Sequence, residues 1–321
     1  MSVLSTPRQV ARRAARRDVR AQLTQGRRDV AGAVFRAVLL LALATSVLIL
    51  VVLLVDVISG GRTVLTERLG DFLTGSMRSQ PSESGILQGL RGTFFIGVFT
   101  VVIAFPIGIA AALYLEEYAN RNGRLARFVD VNIRNLAGVP SVVYGILGFT
   151  IFVKALGGIT GPDAGGRSVV SAGLTLAILV LPIVIITSAE SLRAVPQGLR
   201  EAGYGVGATR WEVVRDHVLP YAAPGILTGT VLALARALGE AAPLILVGAT
   251  TGYLTSGDSF ALDSLRERFT AMPILITTWA GRPGEEWEAV TAAAIVVLLA
   301  VVLLANAVAI LLRNRFEKKR A

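Results

Sequence analysis

The chain of 321 residues contains no cysteine, a single histidine and little charge. Without cysteine, disulfide staples and thiolate metal sites drop out, and His217 alone cannot build a histidine cluster around a metal. Charged residues make up 17 % of the chain, where an average soluble domain carries about 25 %. With 53 % hydrophobic residues and a mean hydropathy of +0.64, the polar groups are too few to cover a water-soluble surface. Aromatic residues are also sparse, at 7 %. The net charge of +10 therefore belongs to no aromatic-studded basic domain of the kind that grips nucleic acid. Most arginines and lysines instead lie at the edges of apolar runs.

Nucleotide and enzyme signatures are missing too. Gly161–Ser168 reads GPDAGGRS, close to the phosphate-cradling G-x-x-x-x-G-K-[ST], but arginine replaces the lysine and no strand precedes it. A turn between membrane helices is the simpler reading. The glycines of GYGVG at 203–207 fail the dinucleotide spacing, and no nucleophile–base pair stands out. Nothing here argues for an enzyme acting alone, or for a cofactor bound by this chain.

What the sequence has is length of hydrocarbon. A bilayer core of roughly 30 Å takes about 20 helical residues to cross. Six stretches approach this: Ala37–Val55, Gly92–Leu115, Asn135–Val153, Ser168–Ala189, Val218–Gly257 and Ala289–Leu312. They predict an all-α integral membrane protein with six transmembrane helices. Pro106, Pro140, Pro182 and Pro243 fall within them, as membrane helices tolerate when neighbours re-satisfy the freed backbone groups. Small residues at Gly225 and Gly229, and at Ala104, Gly108 and Ala112, allow close helix approach inside one bundle.

Basic residues set the orientation. Segments 1–28, 116–134, 190–217 and 313–321 hold 21 lysines and arginines, against 7 in the alternate segments 59–85, 157–167 and 251–288. Six crossings with both termini cytoplasmic satisfy this count. The apolar run beyond Ala44 is too long for a cleaved signal, so residues 1–33 read as a basic, disordered cytoplasmic arm. The first helix and an external loop would take 34–85. A five-helix core takes 86–312, with a cytoplasmic loop at 190–220, and a basic tail takes 313–321.

Two features invite a functional reading. Arg236 and Glu240 lie at or beyond mid-depth of the fifth span, four residues apart, with Gly239 and Pro243 beside them. A charge in a bilayer is costly and usually faces a partner or a water-filled cavity. The pair is either a positive centre for an anion with its counter-ion, or an ion pair that fixes a helix interface. The flanking glycine and proline predict a local break, a common device at transport sites. Arg91, near the outer end of the second span, could recruit anions or snorkel to the interface. Glu285, Glu286 and Glu288, with Trp279 and Trp287, read as an external interfacial rim.

The second feature is polar and lies between spans: EAGYGVGATRWEVVRDHVLP, Glu201–Pro220. A short helix stopped by glycine would be followed by a second one with Trp211, Val214 and Val218 on one face, and Pro220 would open a new helix. Such a segment makes either a rigid knob for a soluble partner or an ordinary amphipathic interfacial loop. Here the residues resemble a known family. Glu201-Ala202-Gly203, three residues, Gly207, nine residues, His217, one residue and Leu219-Pro220 is similar to the EAA loop of ABC-importer permeases, Glu-Ala-Ala-x3-Gly-x9-Ile-x-Leu-Pro. Gly203 stands where that pattern has alanine, and His217 where it has isoleucine.

The stretches FPIGIAAALYLEEYA, LAGVPSVVYGILG and LPYAAPGILTGTVLALARALGEAAPL, with the tail ANAVAILLRNRFEKK, resemble phosphate-importer permeases of the PstA type. The resemblance spans roughly residues 86–321. GEAAPL is close to that group's Gly-Glu-Thr-Ala-Pro-Leu, with Ala241 for threonine, and differs from the methionine-containing sequence of the sister PstC type.

The resemblance implies a MetI-like, type I importer architecture in a bacterial inner membrane. It implies a PstC-like sister permease, a PstB-like ATPase dimer that binds the ATP, and a PstS-like external phosphate-binding protein. It further implies coupling helices at Glu201, Ala202, Gly203, Gly207, Trp211, His217, Leu219 and Pro220, and a phosphate path past Arg236 and Glu240. A permease for another oxyanion such as molybdate or sulfate, or a proton-coupled carrier with Glu240 as proton carrier, are the competing readings; the latter has no need of the 201–220 loop.

Overall fold

The computed structural model describes residues 30–120, 123–249 and 265–318, and the secondary structure of those residues is entirely helical. The basic arm up to residue 29, the apolar end expected at 250–257 and the last residues of the tail lie outside the described residues. Two compact units divide at Asp56 and Val57. In the first, the described residues are the N-terminal part of helix α1 (Val30–Glu67), apolar on every face from Ala37 to Val55. That is the pattern of a helix made for lipid on all sides.

The second unit holds the end of α1 and the remaining helices. In chain order these are α2 (Leu69–Thr74), α3 (Leu87–Tyr118), α4 (Arg124–Ala137), α5 (Ser141–Ala155), α6 (Gly157–Thr160), α7 (Val169–Arg193), α8 (Gln197–Gly205), α9 (Arg210–Gly239), α10 (Ala242–Val247), α11 (Met272–Ala280) and α12 (Glu285–Lys318). Among the described residues, five helices are long and apolar enough to cross a bilayer: α1, α3, α7, α9 and α12. Taking the bent pair α4–α5 as one span gives six.

The third and fifth spans differ from the sequence expectation. Asn135–Val153 is not one helix. The chain turns by 102° between α4 and α5, because Pro140 cannot donate to a helical ladder and pushes Val139 out of the helical region. Asn135–Ala137 thus close α4, an amphipathic helix that carries Arg124, Arg127, Asp130 and Arg134. The fifth span begins at Arg210 rather than Val218 and ends at Gly239. Pro220 does not open a separate helix. A π-helical turn at Val214–Val218 carries the chain through, and its wider ring of hydrogen bonds accommodates the missing proline N–H.

Helix α7 is the most enclosed, with α3, α5 and α9 packed around it. Val180 and Val184 are fully buried and Leu176 nearly so, in a core shared with Ile96, Ala104, Ala233 and Ala237. The small residues singled out in the sequence pack inside this bundle. A Cβ on Gly108 would meet Val184 at 2.7 Å, and one on Gly225 would meet Ser191 at 2.6 Å.

A second core closes the opposite end from the coupling segment. Val64, Phe72, Ile86, Met272, Leu275, Trp279 and Trp287 pack together there. The Arg68 guanidinium ties the chain around it, donating to the carbonyls of Pro81 (2.6 Å), Ser82 and Ser84 (3.3 Å). The expected tryptophan rim is corrected here. Trp279 is fully buried and Trp287 nearly so, their rings 5.8 Å apart, and only the glutamates at 285, 286 and 288 are exposed. Burying two indoles removes far more apolar surface from water than a rim position would.

Helices α1 and α12 meet on small residues. A Cβ at Gly61 would lie 2.7 Å from the backbone nitrogen of Ala293, whereas one at Gly60 would only touch the Ala292 methyl at 3.4 Å. Gly61→Leu is expected to lower stability by about 1–3 kcal/mol through overpacking, seen as a lower unfolding midpoint in detergent. Gly60→Ala should leave that midpoint unchanged.

Candidate transport and coupling sites

The Glu201–Pro220 segment holds the end of α8 and the start of α9, and its glycines set the turn between them. Helix α8 ends in a left-handed residue: Gly207 has φ +85°, its N–H donates to Tyr204 O (3.0 Å), and the Ala208 N–H donates to Gly203 O (3.2 Å). This is a Schellman stop, and glycine takes the left-handed conformation without a Cβ penalty. Thr209 then starts α9 with a reciprocal capping box to Glu212. Glu201, Ala202, Tyr204, Val206 and Trp211 are exposed, Val206 at 84 % and Trp211 at 51 %. Trp211 therefore does not share the buried face of Val214 and Val218, which are fully enclosed. It lies in the first turn of α9, beyond the rim of the core into which those valines point.

The two positions that depart from the family pattern lie beside each other. A Cβ on buried Gly203 would reach Val213 at 2.8 Å and the His217 ring at 3.6 Å. The close neighbour that a methyl on α8 would strike is Val213, while the imidazole stands at ordinary van der Waals distance. His217 is itself exposed, next to the Arg215–Asp216 ion pair (2.8 Å).

What anchors the segment was invisible in the sequence. Arg200, on α8, is 7 % exposed and pairs with Glu117 at the end of α3 (2.7 Å). The same guanidinium donates to the carbonyls of Val195 (2.7 Å) and Leu192 (2.9 Å). Arg193, at the end of α7, holds the neighbouring Glu116 (2.5 Å) and approaches Asp130 of α4 (3.6 Å), which also binds Arg134 (3.0 Å). Arg210 adds a cation–π contact to Tyr118, 5.0 Å from its ring centre. These charges join the ends of α3, α4, α7 and the coupling helices. In the sequence they read only as topological markers; a double acid closing an apolar span is the signal that could have flagged them.

The second candidate site is at the far end of α9. The helix breaks at Glu240, whose backbone is extended (φ −80°, ψ 119°) before α10 begins with Pro243 in its first turn. Counting 1.5 Å per residue, Arg236 lies about 24 Å from Pro220 along the helix. Its Nε is 3.4 Å from Glu240 Oε1, a single loose contact rather than a two-bond fork. The guanidinium side chain is 46 % exposed and the carboxylate side chain 18 %. The Tyr144 hydroxyl, which donates to Leu136 O (2.8 Å), lies within electrostatic range of Arg236. Arg91 is in the second turn of α3 and half-buried. Leu238 packs at Gly97, six residues further along that helix, so Arg91 lies about 9 Å outward of this level. The structure thus groups Arg236 with Glu240, sets Arg91 apart, and puts the 201–220 residues at the opposite end of α9. No cluster of metal-ligating side chains occurs among the described residues.

Residues 104–320 match the family described as binding-protein-dependent transport system inner membrane component. The chain belongs to that family. The chain is 35 % identical over 199 residues to the phosphate transport system permease protein PstA 1 of Mycobacterium tuberculosis, covering 62 % of this chain and 60 % of that one. It is 33 % identical over 238 residues to the phosphate transport system permease protein PstA of Xylella fastidiosa, covering 73 % and 77 %. The matched stretch thus spans about 60 % of the length of the mycobacterial relative.

Among solved structures, the permease resembles a chain of a bacterial alginate ABC transporter in complex with a pentasaccharide-bound periplasmic protein. The TM-score is 0.61 at 16 % identity, with 85 % of this chain and 92 % of that chain covered. It also resembles a chain of the inward-facing MetNI methionine ABC transporter, with a TM-score of 0.53 at 20 % identity and coverages of 72 % and 94 %. The fold is that of the ABC-importer permeases, a multi-pass helical membrane protein.

Removing one partner of the buried Arg200–Glu117 pair strands a charge, at a cost of about 3–5 kcal/mol. Arg200→Ala and Glu117→Gln should each lower the permease's unfolding midpoint. The exchanged pair Arg200→Glu/Glu117→Arg should recover part of the loss, and a double-mutant cycle on thermal unfolding measures the coupling.

Proposed function

We propose that this chain is the membrane-spanning permease subunit of an ATP-driven importer that moves inorganic phosphate into a bacterial cytoplasm. It would work with a homologous permease, a cytoplasmic ATPase dimer and an external phosphate-binding protein. The bacterial relatives named as phosphate permeases support this substrate. The observation that carries it is the half-exposed Arg236 at the broken end of α9, held by one loose carboxylate contact.

A guanidinium presents a planar fork that matches tetrahedral oxyanions. Glu240 touches it through a single oxygen at 3.4 Å, so an arriving phosphate can displace the carboxylate and take two donors at once. With the path empty, Glu240 keeps the charge balanced in a low-dielectric setting. Arg91, further out on α3, adds positive potential on the approach.

At the other end, Glu201, Ala202, Gly207, Trp211 and His217 form the surface for the ATPase groove, backed by Gly203, Leu219 and Pro220. The chain supplies no nucleotide site of its own; ATP is bound and hydrolysed on the partner. Because α9 runs from this surface to Arg236 without interruption, closure of the ATPase dimer reaches the anion site through one rigid rod.

Phosphate uptake in a strain stripped of its own phosphate permeases is the direct test. Arg236→Gln should reduce it to background while the complex still assembles; normal uptake would return the pair to a purely structural role. Uptake of molybdate or sulfate in preference to phosphate would reassign the substrate, and uptake driven by a proton gradient without ATP would reject the importer. Glu201→Lys should abolish co-purification of the ATPase, and retained ATPase with normal uptake would refute the coupling surface.

A further inference from the structure

Helix α4 (Arg124–Ala137) has three sides when its residues are placed at the helical repeat. Ala126, Val129, Ile133 and Ala137 are half-buried and face the bundle, where Ile133 joins the core of Ala112 on α3 and Ala189 and Leu192 on α7. Leu125, Phe128 and Leu136 share a second side and stay exposed, at 76 %, 66 % and 46 %. Arg127 and Arg134 occupy the third, and Arg124 lies between Arg127 and Phe128; all three arginines are exposed.

The neighbours of α4 fix its depth. Asp130 approaches Arg193 in the last turn of α7 (3.6 Å), so the middle of α4 is level with the end of a spanning helix. The turn of 102° at Pro140 sets α4 across the direction of α5, which itself packs on α7. A helix at that level and angle runs along the bilayer surface, with one side toward hydrocarbon and another toward water. On the transport reading above, this is the cytoplasmic surface.

Charge narrows what can cover the exposed side. Helix α4 carries three arginines against one aspartate. Asp130 is taken by Arg134 (3.0 Å) and Arg193, while Arg124 and Arg127 hold no ion pair or hydrogen bond among the described residues. Arg127 borders a cleft of about 260 Å³ with Glu116 and Asp130, but Arg193 already answers both carboxylates. Asn132, on the apolar side, donates its amide to Phe128 O (2.7 Å) and so spends that hydrogen within the helix. A protein docking here would have to bring acid to two guanidinium groups beside leucine and phenylalanine. Phospholipid brings acyl chains and a negative headgroup together.

We propose that α4 is an in-plane membrane helix that selects anionic phospholipid. Arg124 and Arg127 hold the headgroups, and Leu125, Phe128 and Leu136 lie among the upper acyl chains. The bound lipid is one ion pair away from the arginine–glutamate lattice that anchors α8, because Asp130 links α4 to Arg193.

Phe128→Trp puts an indole on the exposed side, read as the fluorescence gained over the unsubstituted transporter when each is assembled with its partners in nanodiscs. Bromines near the headgroup should quench it more strongly than bromines near the chain end. In discs of mixed lipid, brominated phosphatidylglycerol should be enriched at the indole over brominated phosphatidylcholine, by about fivefold per arginine at low salt. Arg124→Gln/Arg127→Gln should bring the two lipids to parity, and molar salt should weaken the preference. Stronger quenching by chain-end bromines would make α4 part of a crossing span, and no quenching by either lipid would mean that a protein subunit covers the face. Equal quenching by the two headgroups, or a preference that survives the double substitution, would refute the selection. Loss of the preference in millimolar inorganic phosphate would assign the arginines to the free anion. Each of these outcomes overturns the proposal. The quenching does not depend on transport: if Arg236→Gln leaves uptake intact, the transport reading fails while the lipid face is still decided.

Discussion

The end of this helical bundle where α8 meets α3 depends on two arginines set against two adjacent glutamates. Arg200 and Arg193 reach Glu117 and Glu116 with little water around the carboxylates. A buried ion pair contributes little net stability, because desolvation offsets its attraction. Its value is positional, since any movement that separates the partners exposes an uncompensated charge. Helices α3, α7 and α8 are therefore obliged to move together, and Asp130 brings α4 into the same set.

From that fixed end, α9 leaves as a continuous rod. The capping box at Thr209 starts it, the π turn at Val214–Val218 carries it past Pro220, and the break at Glu240 stops it. The surface proposed for the ATPase and the arginine proposed for the anion are thus opposite ends of one element. Bundle packing keeps the rod close to α7, because Gly225 and Gly229 let the backbone lie against Ser191 and Thr187.

Gly203 and His217, the two departures from the family pattern, are neighbours in the fold. In sequence the two changes are 14 positions apart and look independent. In space the glycine faces Val213, which leaves no room for a Cβ, and the imidazole stands beside it at ordinary contact distance.

The sequence by itself determined the class of solvent, the places of most spans, the polar segment at 201–220 and the arginine–glutamate pair near a break. Each rests on local quantities: apolar run length, the sidedness of lysine and arginine, and glycine or proline at a turn. It misjudged the third span, because a run of apolar residues does not reveal that Pro140 turns the chain by 102°. It misplaced Trp279 and Trp287, because an indole near charge looks interfacial until its packing partners are known. Only the tertiary structure decided that Glu116 and Glu117 face Arg193 and Arg200, and that Arg313 reaches Thr228 across 85 positions of chain. Charge pairing at that range depends on which helix ends are brought to the same place, and no local pattern of residues encodes it.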